Sequence, residues 1–233
     1  MGDLVHVLLH FLVGASISYL LFNKDFVSIS KRLTVYLFGG IVAVSPDIPK
    51  FFGYLFGHSI FYVLLMGLCF TPVFRIVNKD FSFWKTWIIF SITVLIGHIY
   101  IDYIGNGIAL LFPIVKKDFN FHIIPSLDLM IITTLFTTLI IGLFHNKSKG
   151  IILLGALIIS LYFCLLTASK IQLEHTLREK FNNYEIELLL TYPNSNDFGE
   201  WSFQVRTNEF WVRGSSSIYK SGIRIKSERD ADS

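Results

Sequence analysis

Long apolar runs broken by short polar loops fill the first 170 residues or so of the chain. A helix needs about 20 apolar residues to cross the hydrocarbon core of a bilayer. Six segments approach that length: about 4–22, 33–48, 58–74, 84–104, 124–144 and 150–169. The second is short and runs into Ser45-Pro46-Asp47-Ile48-Pro49, so it is predicted to break before the interface. Residues 105–115 lie between the Gly105-Asn106-Gly107 break and Lys116-Lys117. They are too few to span and read as a re-entrant or interfacial piece, which is tolerated where protein or a wet cavity surrounds it.

From Lys170 the pattern changes. Residues 170–183 predict a polar helical extension. Short alternating runs then follow at Tyr184–Tyr192, Trp201–Arg206, Phe210–Arg213 and Ile218–Lys226. In the second run Trp201, Phe203 and Val205 point one way while Ser202, Gln204 and Arg206 point the other, as in a half-buried strand. The expected architecture is a mainly α membrane protein of about six transmembrane helices plus the interfacial segment, with a small C-terminal antiparallel β domain. Its domains would be a transmembrane part at 1–169, a helix-plus-sheet part at 170–226 and a disordered tail at 227–233.

Composition supports that class. The 233 residues are 53% hydrophobic, include 23 Phe and have a mean hydropathy of +0.58, which is too apolar for a soluble domain. The net charge of +3 is small and no basic cluster is interleaved with stacking aromatics, so no nucleic-acid partner is expected. Cys69 and Cys164 both lie in apolar runs and read as small core residues, not as a disulfide or a metal pair. The start MGDLVHVLLH carries no Lys or Arg, so it does not read as a cleavable signal. His6 stands where the myristoylation pattern needs Ser or Thr.

Loop charge sets the expected orientation. Six spans put Lys24, Lys31, Arg32, Arg75, Lys79, Lys85, Lys147 and Lys149 on one side and Lys50, Lys116 and Lys117 on the other. The first side would be cytoplasmic by the positive-inside rule, leaving both termini extracytoplasmic.

Acids divide the chain too. Every Glu lies from Glu174 onward, and the long apolar part carries only Asp3, Asp25, Asp47, Asp80, Asp102, Asp118 and Asp128. The zinc-protease motif H-E-x-x-H is absent. Chemistry in the membrane part must therefore use Asp, His or a metal-bound water. The expected topology brings His6 and His10, Asp47, His58, and the pair His98 and Asp102 to one face of the membrane. Imidazole nitrogen and carboxylate oxygen suit Zn²⁺, and also Mn²⁺ or Fe²⁺. His98 and Asp102, four apart, share a helix face and can reach one ion. Each residue also has a plainer role: His6 or His58 as an interfacial anchor, Asp47 as a turn residue, His98 and Asp102 as an interhelical hydrogen bond, Gly105 and Gly107 as a helix end. His122 and Asp128 are weaker candidates near the same face, for supporting or general-base roles. His145 and His175 are assigned to solvent.

These residues resemble the membrane-bound metal-dependent hydrolase family of bacterial YdjM. The motifs are His10-Phe-Leu-Val-Gly14, Ser45-Pro46-Asp47-Ile48-Pro49, Gly57-His58-Ser59, His98-Ile-Tyr-Ile-Asp102 and Leu110-Leu111-Phe112-Pro113, in the family's order over about residues 6–113. Tyr192-Pro193-Asn194 through Trp201 is similar to a C-terminal pattern of some members. Three positions depart from the family: Pro49 replaces a second Asp, Gly53 an additional His, and Gly57 a Thr. The N-terminal ligand is open between His10, which has the Gly at the family distance, and His6, which has the family distance from the start. The resemblance implies a bacterial inner-membrane location and a metal site. If the family site holds two ions, the departures could leave one.

The function expected on these grounds is a membrane-embedded metal-dependent hydrolase. It would act on a lipid or other amphiphilic ester or phosphoester through a metal-activated water. His10, Asp47, His58, His98 and Asp102, with His6, would hold a divalent transition metal, zinc first. Asp102 and Asp128 are the expected catalytic acids, and membrane lipids the expected partners. The alternative is a non-catalytic metal-binding scaffold or ion carrier that uses the C-terminal domain for a partner. Haem ligation is disfavoured because carboxylates lie so close.

Overall fold

The computed structural model describes residues 2–22, 28–51, 56–125, 128–194, 197, 199–219 and 222–230. Lys24, Gly53 and residues 231–233, on which sequence expectations fell, lie outside them. The order is α1 (Gly2–Leu21), α2 (Ile29–Val44), α3 (Asp47–Phe51), a 3₁₀ turn (Phe56–His58), α4 (Ile60–Val77), α5 (Phe83–Val94), a π-helical turn (Leu95–Tyr100) and α6 (Ile101–Ile104). Then come α7 (Leu129–Phe144), α8 (Ser148–Lys180) and four strands, β1 (Ile186–Pro193), β2 (Glu200–Thr207), β3 (Phe210–Ser217) and β4 (Ile223–Asp230). Internal contacts divide the chain into two units, residues 1–121 with 128–159, and residues 122–127 with 160–233.

Among the described residues four helices are long and apolar enough to cross a membrane: Leu4–Leu21, Ile60–Val77, Phe83–Ile104 and Ser148–Lys180. α2 and α7 have 16 residues each, about 24 Å of helix, against the roughly 30 Å of a hydrocarbon core. α7 starts at Leu129, five residues later than the apolar run starting at Ile124 predicts, because Asp128 caps it. The last apolar run and the polar extension after it form one helix, α8, of 33 residues. Leu153, Leu154, Leu157, Leu161 and Leu165 on α8 are all exposed. An apolar face of this kind suits lipid and not water. Cys69 and Cys164, expected as core residues, are free thiols on exposed positions of α4 and α8. Their apolar surroundings in sequence reflect the lipid-facing surface, not the core.

The helical unit is held by close backbone approach. A side chain on Gly14 would collide with Ala43 Cβ and come within 2.5 Å of the Gly39 carbonyl oxygen. A side chain on Gly97 would lie 3.2 Å from Ala43 Cβ and 3.3 Å from Gly14 Cα. Helices in lipid gain little from the hydrophobic effect and rely on such small-residue contacts. Gly14→Ala is therefore expected to cost about 1–3 kcal/mol, the usual range for overpacking. Thermal unfolding of the detergent-solubilised chain checks it, and a variant melting with the wild type would refute the packing account.

Two further features shape the unit. Phe22, Phe74 and Phe90 are fully buried and pack ring against ring at the end of α1 away from His6, and Phe81 meets Phe22 and Phe74. Arg32, counted from sequence as a loop cation, is buried. It donates to the carbonyls of Gly142, Leu143 and His145, so it caps the C-terminus of α7.

The second unit contains an antiparallel meander in the order β1-β2-β3-β4. Trp201, Phe203 and Val205 are buried as the alternation predicts. The Trp201 indole N–H donates to Ser169 Oγ on α8 at 3.0 Å. β4 corrects the expected tail boundary. Ser227, Glu228, Arg229 and Asp230 pair with Arg213, Val212, Trp211 and Phe210 of β3. The polar side chains of Ser227, Glu228 and Arg229 suit an edge strand, and backbone hydrogen bonds decide the pairing.

Candidate metal centre

α1 supplies two histidines. His6 and His10 are four apart and so stack on one face of the helix. Gly14, one turn further on, lets α1 approach Gly97, and His10 Nδ1–H then donates to the Gly97 carbonyl at 2.8 Å. That hydrogen bond fixes the ring and leaves Nε2 as a lone-pair donor aimed inward, the usual support of a metal-bound histidine.

Asp47 and His58 come from the connection between α2 and α4. α2 ends at Val44, and Asp47 opens α3 two residues after Ser45. His58 closes the 3₁₀ turn. Gly57 makes their proximity possible, because a Cβ there would run into the Pro46 carbonyl oxygen and lie 3.3 Å from Pro49. The departures at 49 and 57 thus form one local solution, with proline ring and glycine packed together. Ser59 caps α4 by accepting from Phe61 N–H and donates its hydroxyl to the Phe112 carbonyl at 2.6 Å. That ties the stretch after Asp102 back beside His58.

His98 and Asp102 sit on the span formed by α5, the π turn and α6. A π turn inserts an extra residue into an α-helix and often marks a functional position. Here it carries His98. His98 is fully buried and Asp102 only 1% exposed. Gly107, with φ +93°, reverses the chain so that its N–H donates to the Asp102 carbonyl at 2.8 Å.

Four histidines converge on Asp102. Its Oδ1 lies 3.0 Å from His6 Nε2 and 3.4 Å from His10 Nε2. Its Oδ2 lies 3.3 Å from His58 Nε2 and 3.4 Å from His98 Nε2. Asp47 Oδ1 completes the group at 3.4 Å from His58 Nε2 and 3.9 Å from His98 Nε2. His6 Nε2 and His10 Nε2 are 2.8 Å apart, and those of His58 and His98 are 3.3 Å apart. Donor atoms within 4.8 Å of one another form three possible ligand sets: His6, His10 and Asp102; His10, Asp47 and His98; His58, His98 and Asp102.

The donor set fits a divalent transition metal. With His10 Nδ1 protonated, its Nε2 offers a lone pair to the inside of the cluster, 2.8 Å from His6 Nε2, where a proton or a metal ion can be shared. Buried polar atoms normally find partners, yet Asp47 Oδ2 has no hydrogen-bond partner among the described residues.

The other candidates are placed elsewhere. Asp128 is buried at the start of α7, where its carboxylate accepts from Ile131 N–H at 3.1 Å as an N-cap. His122 belongs to the second unit and has a positive φ of 50°. Burial, with the Lys170 charge, holds its imidazole below the usual pKa. His145 ends α7 and its Nδ1 accepts from Lys147 N–H, while His175 is exposed beside Glu179. One contact was not foreseen. Asn106, between the two glycines, brings its side-chain amide 3.1 Å from His6 Nδ1. A polar residue inside a helix-ending turn just after Asp102 was the only sequence signal for it.

Fold and site define a polytopic helical membrane protein with a buried His/Asp centre toward one end of its bundle. The family model described as YdjM inner membrane protein matches residues 4–173, about three quarters of the chain. The chain belongs to the YdjM inner membrane protein family. No curated protein and no solved structure matches it.

Proposed function

We propose that the chain is a membrane-embedded hydrolase that binds a divalent transition metal through His6, His10, Asp47, His58, His98 and Asp102. Zinc is the first choice, and manganese or iron suits the same donors. The observation that carries this is the convergence of four histidines from three stretches of chain on the buried Asp102 carboxylate, with Asp47 beside two of them. Ionisable groups are costly in such a place, and function is the usual reason for keeping them. The substrate class is a lipid or another amphiphilic ester or phosphoester. Exposed Leu4, Ile48, Phe56 and Ile114, on segments adjoining the ligands in sequence, support an apolar approach.

When bound, the metal polarises the substrate oxygen and lowers the pKa of water toward neutrality. The chain's own residues do the rest. Gly97 orients His10 through its carbonyl. Asp47 holds its partners through Oδ1 and keeps Oδ2 available to accept a proton. Asp128, the other acid considered for that proton, is engaged in capping α7.

The proposed topology has six spans, with α2 and α7 as the short ones. Both termini and the metal centre face the extracytoplasmic side, by the loop-charge count. An ion carrier would need a polar path onward from the site. The Phe22, Phe74, Phe81 and Phe90 cluster at the far end of α1 argues against one. Metal analysis of purified protein tests the proposal. Wild type is expected to carry transition metal that the His98→Ala, Asp102→Ala double variant lacks. Equal, background metal in both would overturn it and favour the scaffold alternative.

A further inference from the structure

The two oxygens of Asp102 face different histidine pairs, and this points to the number of ions. We infer that the centre holds two divalent cations bridged by the Asp102 carboxylate. One ion would take His6, His10 and Asp102 Oδ1. The other would take His58, His98, Asp47 Oδ1 and Asp102 Oδ2. The inference rests on the metal-dependent reading above and goes beyond it in ion count and in the division of labour.

Three observations carry it. The first is supply. A tetrahedral zinc site uses four protein ligands, or three when a position stays open. Six donors exceed one such ion, and five of the six residues are at most 5% exposed. Ligands left over would be buried without purpose. The second is direction. Oδ1 has His6 and His10 at 3.0 and 3.4 Å, while Oδ2 has His58 and His98 at 3.3 and 3.4 Å. A carboxylate used this way holds two ions about 3.5–4 Å apart, the spacing of two-metal hydrolytic sites. The third is ring placement. The His10 and His98 imidazoles stack with centroids 4.0 Å apart, so the two histidine pairs lie side by side.

The two halves differ. The half built on His58, His98, Asp47 and Asp102 has four ligands and is closed. The half built on His6, His10 and Asp102 has three ligands and one open position. It also lies at the accessible edge, because the His6 side chain is 12% exposed and Asn106 reaches it from the turn. Substrate and water would therefore enter on the His6 side, and that ion would exchange first.

The test uses the full-length chain in detergent, loaded with Mn²⁺ and freed of loose metal. Elemental analysis is expected to give two ions per chain in wild type and one in His6→Ala. Paramagnetic resonance of the wild type is expected to show an exchange-coupled manganese pair, and a mild chelator should remove one ion well before the second. One ion per chain with an uncoupled spectrum would overturn the two-ion inference and leave a one-metal enzyme standing. No bound ion at all would overturn the metal reading itself. If His6→Ala fails to fold, the coupled or uncoupled wild-type spectrum decides alone.

Discussion

Replacing Asp102 with Asn is expected to strip the centre of metal while the helical bundle stays folded. Asp102 lies within 3.4 Å of both histidine pairs through its two oxygens, and Asn matches its volume without its charge. The loss of affinity should be on the order of 100-fold or more, since removing even an outer-shell partner costs 10–100-fold. Stability moves in two opposed directions. A buried carboxylate that is 1% exposed costs desolvation. A metal bound there would stabilise the fold through mass action. In the metal-free protein Asp102→Asn should therefore melt near or above wild type. With metal present, wild type alone should gain. Titrating zinc while following thermal unfolding separates the two effects. A variant that retains wild-type metal content would remove Asp102 from the centre.

The second large effect concerns the other unit. Trp201→Ala is expected to unfold the sheet, at a cost of about 3–5 kcal/mol for removing a buried large aromatic. Trp201 is fully buried, and its register partners are Pro193 on β1 and Ser216 on β3. Its indole N–H is satisfied by Ser169, which would lose that donor. Limited proteolysis should then cut readily within 186–230, while metal content stays at the wild-type level. Loss of both together would show that the sheet supports the centre.

Much of this was legible in the sequence because lipid imposes strict rules. Apolar length predicts spans, alternation predicts strands, and acids and imidazoles in apolar surroundings stand out by their cost. Hence the α1, α4, α5 to α6 and α8 spans and the β2 alternation were readable from the chain alone. So was the candidate group of His6, His10, Asp47, His58, His98 and Asp102. Where apolar character had two explanations, sequence could not choose. Cys69 and Cys164 sit in greasy runs that face outward. Asp128 looked like a possible base and is an N-cap. Arg32 looked like a loop charge and is a buried cap for α7. Ser227 to Asp230 looked like a polar tail and form the end of a strand.

The sequence by itself determined the membrane class, the antiparallel sheet and the members of the His/Asp cluster, because each follows from local composition and periodicity. Only the tertiary structure decided that both His6 and His10 face Asp102, since that depends on how closely α1 can approach Gly97. It alone decided that Gly57 and Pro49 fit together where the family carries Thr and Asp. It also assigned the two carboxylate oxygens of Asp102 to different histidine pairs. Those outcomes arise from contacts between segments up to about 100 residues apart, and local pattern carries no record of such contact.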